Sequence, residues 1–190
     1  MISRFFDETL SIYCGGIDNL FRHHDYTRAI LESFRPYPMA RYWLHCHHLH
    51  VDGKKMSKSV GNILYTDNLK KQGYDMSEIR FFLIYGHYRK TLNYSDKRMR
   101  ATTERLRRFK ERVKKIKRRA GSTTETDTDV ARKITAVFKE RMDDDLDVKG
   151  AFDKVSALVA GVNIKDLNSS SASGIIRALR EIDKVLQVIF

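Results

Sequence analysis

Residues 97–119 read KRMRATTERLRRFKERVKKIKRR. The less polar side chains of this segment recur at spacings of three and four residues, at Met99, Thr102, Leu106, Phe109, Val113 and Ile116. This period predicts a helix with a single buried seam. The same segment contains thirteen Lys or Arg and two Glu, so it carries +11 of the chain's net charge of +12.

The rest of this helix surface is cationic, and two interpretations of it stay open. Like charges four residues apart repel each other, so the helix gains stability if an RNA or DNA backbone lies against it. The alternative is an ordinary solvated face. No aromatic residues interleave with the basic ones, which favours phosphate contact over base stacking. The predicted RNA contacts are Arg107, Arg108, Lys114, Lys115, Lys117 and Arg118.

Composition excludes several classes of protein. With 42% hydrophobic residues in 190, the chain can bury a core and is not expected to be disordered. No run of about 18 apolar residues occurs, so no membrane span is predicted, and the N-terminus lacks a signal peptide's apolar stretch. Cys14 and Cys46 form neither a CxxC pair nor a disulfide framework, so we expect a cytoplasmic protein.

The segments around the basic helix predict short mixed elements before it and helices after it. Residues 42–51 predict a strand, 53–62 a loop and 76–86 a helix. After the stop signal Gly121-Ser122, three helices are expected. Thr126 or Thr128 caps the first, the acids of 143–147 begin the second, and a loop at 168–171 precedes the third, which carries Ile175 to Ile189.

The loop GKKMSKSVGN at 53–62 is the strongest chemical signal in the chain. Its flanking glycines favour mobility, and its lysines form a compact cationic tip. Such a loop can close over a triphosphate as charge develops on departing pyrophosphate, with serine hydroxyls donating to phosphate oxygens. The alternative is a plain surface turn.

The sequence motifs around this loop resemble those of class I aminoacyl-tRNA synthetases, and among these they are most similar to the motifs of the cysteinyl enzymes. The similar segments are WLH at 43–45, VDGKKMSKSVGN at 51–62, IRFFL at 79–83, HYR at 87–89, LNYS at 92–95 and MDDDLD at 142–147. Weaker versions of a glycine-rich and a double-histidine motif occur as IYCGGID at 12–18 and FRHH at 21–24. Several motifs in the family's order make chance similarity a poor explanation.

The resemblance implies a mostly α fold with a partial α/β region. Residues 1–66 are expected to be the C-terminal half of a class I Rossmann catalytic domain with the KMSKS loop. Residues 67–95 are expected to be a helical connection, and residues 96–190 an antiparallel, tRNA-binding helical bundle. The family joins cysteine to its tRNA in two steps, through a cysteinyl-adenylate.

The resemblance also assigns residues to ATP, the implied cofactor. Lys58 is expected at ATP, with Lys55 assisting at pyrophosphate and Ser57 donating to phosphate. Gly15, Gly16 and Asp18 fall in the segment that lines the nucleotide and amino-acid pocket. The helices from Ser95 onward would lie along the inside of the tRNA, in agreement with the charge of residues 97–119.

The chain departs from the family pattern at several positions. The HIGH motif and both zinc-ligand cysteines would lie upstream of Met1, and the anticodon-reading module of the family is expected to be missing as well. His23 matches the zinc-ligand histidine, but Thr27 stands where the family has glutamate. Tyr13 replaces the glycine-rich motif's histidine and Cys14 its first glycine, and Arg22 replaces the proline before the double histidine. The family's zinc is therefore expected to be absent, and the chain alone is expected to be inactive.

The segment HCHHLH at 45–50 also raises the hypothesis of a metal site. On one strand, Cys46, His48 and His50 share a face and could ligate a metal, with His23 as a further candidate. The plain alternative is packed or solvated strand residues.

Three functions remain open at this stage. The chain supplies the KMSKS loop and bundle to a HIGH-containing partner chain, or it is a non-catalytic paralogue that binds tRNA or another structured RNA, or it is a decaying fragment. An open strand edge predicts association through residues 1–50, with that partner or with a second copy.

Overall fold

A computed structural model describes residues 8–121 and 128–190. Five short strands form two small sheets. In the first, β1 (Leu10–Gly16) and β2 (Ala40–Cys46) run parallel, with Ile12 beside Tyr42 and Gly16 beside Cys46. In the second, β3 (Leu49–Val51) is central. It pairs antiparallel with β4 (Lys54–Lys55) and parallel with β5 (Leu92–Tyr94).

Seven α-helices account for most of the described chain. They are α1 (Asp25–Glu32), α2 (Thr66–Lys71), α3 (Met76–Ile84), α4 (Asp96–Lys117), α5 (Asp129–Asp143), α6 (Val148–Gly161) and α7 (Ser169–Leu186). Short polar side chains begin the bundle helices. Ser95, Thr128, Asp147 and Asn168 each accept a hydrogen bond from the third backbone amide beyond them. These N-caps stabilise the helix ends that follow loops.

The main core lies among α4 to α7 and reaches α3 through Phe81. Every residue of the predicted seam of α4 is buried. The Phe152 ring of α6 contacts Phe81 at 4.5 Å and Phe109 at 5.0 Å between ring centroids. A smaller cluster of Leu69, Ile79, Phe82, Tyr94 and Met99 joins the second sheet to α3 and the start of α4. The mostly α fold with a partial α/β region and a helical bundle is confirmed.

Three expected boundaries need correction. The strand predicted at 42–51 is two strands, because the His47 amide leaves the sheet and donates to the Tyr88 carbonyl at 2.9 Å. The serines predicted to lie in a loop at 168–171 form the first turn of α7, since Asn168 caps that helix. The last helix ends at Leu186, where Gln187 turns left-handed (φ 56°) and Asp183 accepts the next three amides. Thr126 and Ser122 lie outside the described residues, and Thr128 is the cap of α5.

Candidate functional site

A tight hairpin places the loop of 53–62. Asp52 and Gly53 both have positive φ, 48° and 81°, and join the paired residues Val51 and Lys54. Two consecutive left-handed residues are the geometry of the turn that Asp-Gly favours between antiparallel strands. The Gly53 amide donates to the Asn93 side chain at 2.8 Å, which ties the hairpin to β5. The start of the loop is therefore fixed by the second sheet.

Asn62 holds the two ends of the loop together. Its Oδ1 accepts the Ser57 amide at 2.9 Å, and its Nδ2 donates to the Lys55 carbonyl at 3.2 Å. The Gly61 amide closes the tip on the Lys58 carbonyl at 3.1 Å. The Lys58 side chain is exposed, and no described acid lies within ion-pair distance of it. The loop thus presents a free ammonium on a braced backbone.

Asp18 connects the loop to the end of β1. Its Oδ2 lies 3.7 Å from Lys55 Nζ and 3.5 Å from His48 Nε2. A Cβ on Gly16 would come within 2.6 Å of Asp18 Oδ1. A side chain at position 16 would therefore have to displace the Asp18 carboxylate, which folds back over the strand end. The structure therefore brings together Gly16, Asp18 and Lys55, three residues singled out from the sequence.

Gly15 faces a different group, the buried His24. A Cβ on Gly15 would lie 2.2 Å from His24 Cε1, so the imidazole occupies the space that a side chain would need. His24 Nδ1 lies 2.8 Å from His45 Nε2, and its ring packs edge-on against Tyr13 at 4.8 Å. Burial, followed by the nearby His45, lowers the pKa of His24. The pair is held with one ring donating and the other accepting, which requires an uncharged ring.

A cleft of about 1510 Å³ opens beside these glycines. It is lined by the ends of β1 and β2, the segment 83–92, Arg98 and the turn at 144–149. Parallel strands bind ligands beyond their carboxyl ends, and Gly15, Gly16 and Cys46 occupy that position here. Among the described lining residues, neither Lys55 nor Lys58 appears. The loop lysines therefore stand outside the cleft.

The metal interpretation of 45–50 loses its geometric basis. Cys46 ends β2 and His50 lies in β3, in the other sheet, so they do not share one strand face with His48. His50 Nδ1 is 3.2 Å from the Gly53 carbonyl oxygen. Across residues 8–121 and 128–190, no three His, Cys, Asp or Glu side chains gather as a metal group, around His23 or elsewhere.

The charge of α4 is divided between internal and free cations. Arg107 donates to Glu78 at 2.5 and 3.1 Å, and this carboxylate is only 5% exposed. Arg112 donates to the carbonyls of Val159, Ala160 and Val162 at the end of α6. These arginines join α4 to its neighbours, so one predicted RNA contact, Arg107, has an internal partner.

The other predicted contacts are exposed and face solvent. Arg108 pairs with Glu104 at 3.4 Å and Lys114 with Glu111 at 2.7 Å, both on the same helix. The hydrogen bond from Lys114 lowers the pKa of Glu111. Lys115, Lys117 and Arg118 have no acidic partner within ion-pair distance among the described residues. The free positive charge of this group therefore gathers at the C-terminal end of α4.

Sequence reasoning missed one cluster of interacting residues. Asp145 accepts from Tyr88 Oη at 2.6 Å and from Arg89 Nε at 2.6 Å. Tyr88 and Arg89 belong to the segment HYR at 87–89, and Asp145 belongs to the segment MDDDLD at 142–147. Their joint role is visible only once the bundle is placed against the segment 87–89.

Comparison with known proteins identifies the family. A family model described as the tRNA synthetases class I (C) catalytic domain matches residues 1–104, more than half of the chain. The chain belongs to the class I cysteinyl-tRNA synthetase family. This membership confirms the resemblance that was inferred from the loop at 53–62 and from the sequence motifs around it.

Curated relatives of this synthetase-like chain are cysteine–tRNA ligases. The relative from Chlamydia muridarum is 34% identical over 204 residues, which is 96% of this chain and 42% of the relative. Those from Chlamydia felis and Bacillus cereus AH187 are each 30% identical, across 100% and 94% of this chain. The chain spans about 40% of the length of these relatives.

A solved structure supports the fold. The LeuRS of Agrobacterium radiobacter K84 agnB2, in a ternary complex with tRNA and LeuAMS, superposes with a TM-score of 0.67 at 18% identity. The match covers 94% of this synthetase-like chain and 26% of LeuRS, and at this identity it shows the fold alone. Within the described parts of the chain, none of the helices has the length and apolar character needed to cross a membrane.

Proposed function

We propose that this chain supplies the KMSKS loop and the tRNA-binding bundle of a cysteine–tRNA ligase, and that it ligates cysteine to tRNA with ATP only when a HIGH-containing half is added. One observation carries the proposal. The Lys58 ammonium is exposed, with no acidic partner among the described residues, on a loop braced by Asn62, while Lys55 lies beside Asp18, just beyond the end of β1. Lys55 therefore lies beside the residue that follows a strand end of the kind where nucleotides bind in open α/β sheets, and Lys58 follows three residues later in the same loop.

The residues present fit the triphosphate of ATP. Lys58 and Lys55 would hold its outer phosphates, and the hydroxyls of Ser57 and Ser59, now 3.2 Å apart, would donate to phosphate oxygens. ATP supplies the activated phosphoryl group to which the cysteine carboxylate is joined. The lysine ammonium groups stabilise the negative charge that develops as pyrophosphate leaves. Asp18, beside Lys55, would help to orient that lysine before phosphate arrives.

The bundle is the proposed tRNA surface. The free end of α4, with Lys115, Lys117 and Arg118, offers cations whose release of counterions from phosphates favours binding. The curated relatives are named as cysteine–tRNA ligases, which supports tRNA as the ligand here. Both cysteines are free thiols, which agrees with a proposed cytoplasmic location.

An uncovered apolar surface supports a partner for residues 8–46. Ile12 and Tyr42 are paired neighbours on one face of the first sheet and are 56% and 66% exposed. Tyr26, Ile30 and Phe34 form an exposed stripe on and just beyond α1. Among the described residues nothing covers this surface, and parallel sheets are normally covered on both faces, which supports a further polypeptide here in the working form. We propose the HIGH-containing half as that chain, with a second copy as the alternative occupant.

A second candidate function is RNA binding without catalysis. Thr27, at the position of the family's zinc-ligand glutamate, uses its hydroxyl to donate to the His23 carbonyl at 2.7 Å. A threonine hydroxyl bound to its own helix does not replace a carboxylate as a zinc ligand. This observation favours a chain that binds RNA through its helical bundle but lacks the family's zinc site and does not ligate cysteine.

The purified chain alone is expected to show no cysteine-dependent ATP–pyrophosphate exchange. Aligning two reactants lowers the barrier by about 7–11 kcal/mol, and half of a pocket cannot align them. The measurement is exchange of labelled pyrophosphate into ATP with and without cysteine, and a full-length family member serves as the positive control. Cysteine-dependent exchange above background by the chain alone would refute the half-site proposal.

A further inference from the structure

The turn between α5 and α6 has an unusual backbone. Asp145 and Leu146 are both left-handed, with φ of 50° and 60°. A non-glycine residue in this region costs roughly 1–2 kcal/mol, and Leu146 has no polar side chain to offset that cost. The turn is held by amides that return to α5. The Leu146 amide donates to the Met142 carbonyl and the Asp147 amide to the Arg141 carbonyl.

The acids of this turn point in two directions. Asp144 and Asp147 lie within 4.0 and 3.5 Å of Arg141 Nη1, at the end of α5. The Asp145 side chain instead contacts residues that precede the bundle in the chain. It receives hydrogen bonds from Tyr88 and from both Arg89 Nε and Nη2, and His87 Nε2 lies 3.6 Å from its Oδ2. The hydrogen bond from Arg89, followed by that from Tyr88, lowers the pKa of Asp145.

The segment that Asp145 holds is also bound to the loop side of the molecule. The Tyr88 carbonyl accepts the His47 amide at 2.9 Å, where β2 ends. The next residue, His48, lies 3.5 Å from Asp18, and Asp18 lies 3.7 Å from Lys55. One continuous series of contacts therefore runs from the bundle turn to a lysine of the KMSKS loop.

We propose that Asp145 is a positioning residue that couples the tRNA-binding bundle to the KMSKS loop through the segment 87–89. Asp145 touches no reacting atom in this account. It holds the strained turn against residues 87–89, and so fixes where His47 and His48 place Asp18 and Lys55. This coupling rests on the proposed function, because RNA on the bundle and triphosphate on the loop are its two ligands.

The proposed coupling has two states. In one, the Asp145 carboxylate is bound to Tyr88 and Arg89 and holds residues 87–89 against the turn. In the other, those bonds are lost and residues 87–89 are released. RNA that favours the bound state tightens the loop, and by linkage a triphosphate on the loop tightens RNA binding by the same factor.

The first test uses the full chain without ligands. Asp145→Asn tolerates the left-handed backbone but loses the charge, and Tyr88→Phe removes one donor only. Asp144→Asn is the matched control, since it removes a neighbouring acid. We expect roughly three- to tenfold faster amide hydrogen exchange at His47, His48 and the loop for the first two variants, and no change for the control. Unchanged exchange at these amides in both variants would overturn the positioning role.

The second test adds tRNA and separates coupling from simple stability. In the wild-type chain, tRNA is expected to slow exchange of loop amides at 54–62. Asp145→Asn should unfold at a similar temperature and bind tRNA more weakly, because the state that RNA favours is less populated, yet at saturating tRNA it should lose this loop protection. Equal loop protection in the variant would overturn the coupling. If wild-type chain binds no RNA, the proposed function fails, and the ligand-free exchange comparison still decides the role of Asp145.

Discussion

Replacing Lys58 by alanine is expected to reduce cysteine-dependent ATP–pyrophosphate exchange about 10²–10³-fold when the HIGH-containing half is supplied. Removing one donor from developing transition-state charge has effects of this size. The loop should keep its shape, because Asn62 braces its ends and the Gly61 amide bonds to a backbone carbonyl of residue 58. The loss would therefore reflect the missing ammonium.

Lys54→Ala is the matched control for this variant. Lys54 lies in β4 next to Lys55, and successive side chains of a strand point to opposite faces. Lys55 faces Asp18, so Lys54 is directed away from the proposed phosphate site. We expect exchange by Lys54→Ala within about twofold of wild type. Similar activity of the Lys58 and Lys54 variants would remove the loop from the proposed mechanism.

Replacing Lys115, Lys117 and Arg118 together by alanine is expected to weaken RNA binding and to lower its salt dependence. Each lost phosphate contact reduces the slope of log affinity against log salt by about 1, so the triple variant should lose about 3. The three side chains are exposed, so the free energy of unfolding should change little. Fluorescence anisotropy with labelled tRNA at several salt concentrations gives the slope.

A second triple variant separates position from net charge. Lys133, Lys154 and Lys184 are bundle lysines on other helices, and each pairs with an acid on the surface. Replacing them by alanine removes the same three charges away from α4. We expect their removal to change the slope by less than about 1. Equal slopes for the two triple variants would mean that only overall charge attracts the RNA.

The periodic part of the fold could be predicted from the sequence. The seam of α4 from Met99 to Ile116 is buried as expected, and Thr128 caps α5. Both features depend on side chains within one or two helical turns of each other. Local spacing therefore contains the information needed to predict them.

Features set by distant contacts could not be predicted in this way. The strand at 42–51 breaks because the His47 amide finds the Tyr88 carbonyl, about forty residues away. Arg107 was assigned to RNA from its charge, but a buried Glu78 on α3 provides its partner. The Asp145 contacts join motifs on either side of α4. In each case the deciding partner is remote in sequence.

The candidate site shows the same division. The KMSKS motif at 55–59 and the flanking glycines Gly53 and Gly61 could be identified from the sequence alone. The contact between Lys55 and Asp18 depends on how β1 ends against the β3–β4 hairpin. Sequence alone could name the residues but could not give this geometry.

The most direct test of the central proposal is formation of cysteinyl-tRNA. The chain is mixed with the HIGH-containing half of a family member, their complex is established by light scattering, and labelled cysteine in precipitated tRNA is measured. We expect formation of labelled cysteinyl-tRNA to require both polypeptides, ATP and tRNA, and to be lost with Lys58→Ala. A stable, tRNA-bound complex that forms no cysteinyl-tRNA would contradict it and favour RNA binding without catalysis.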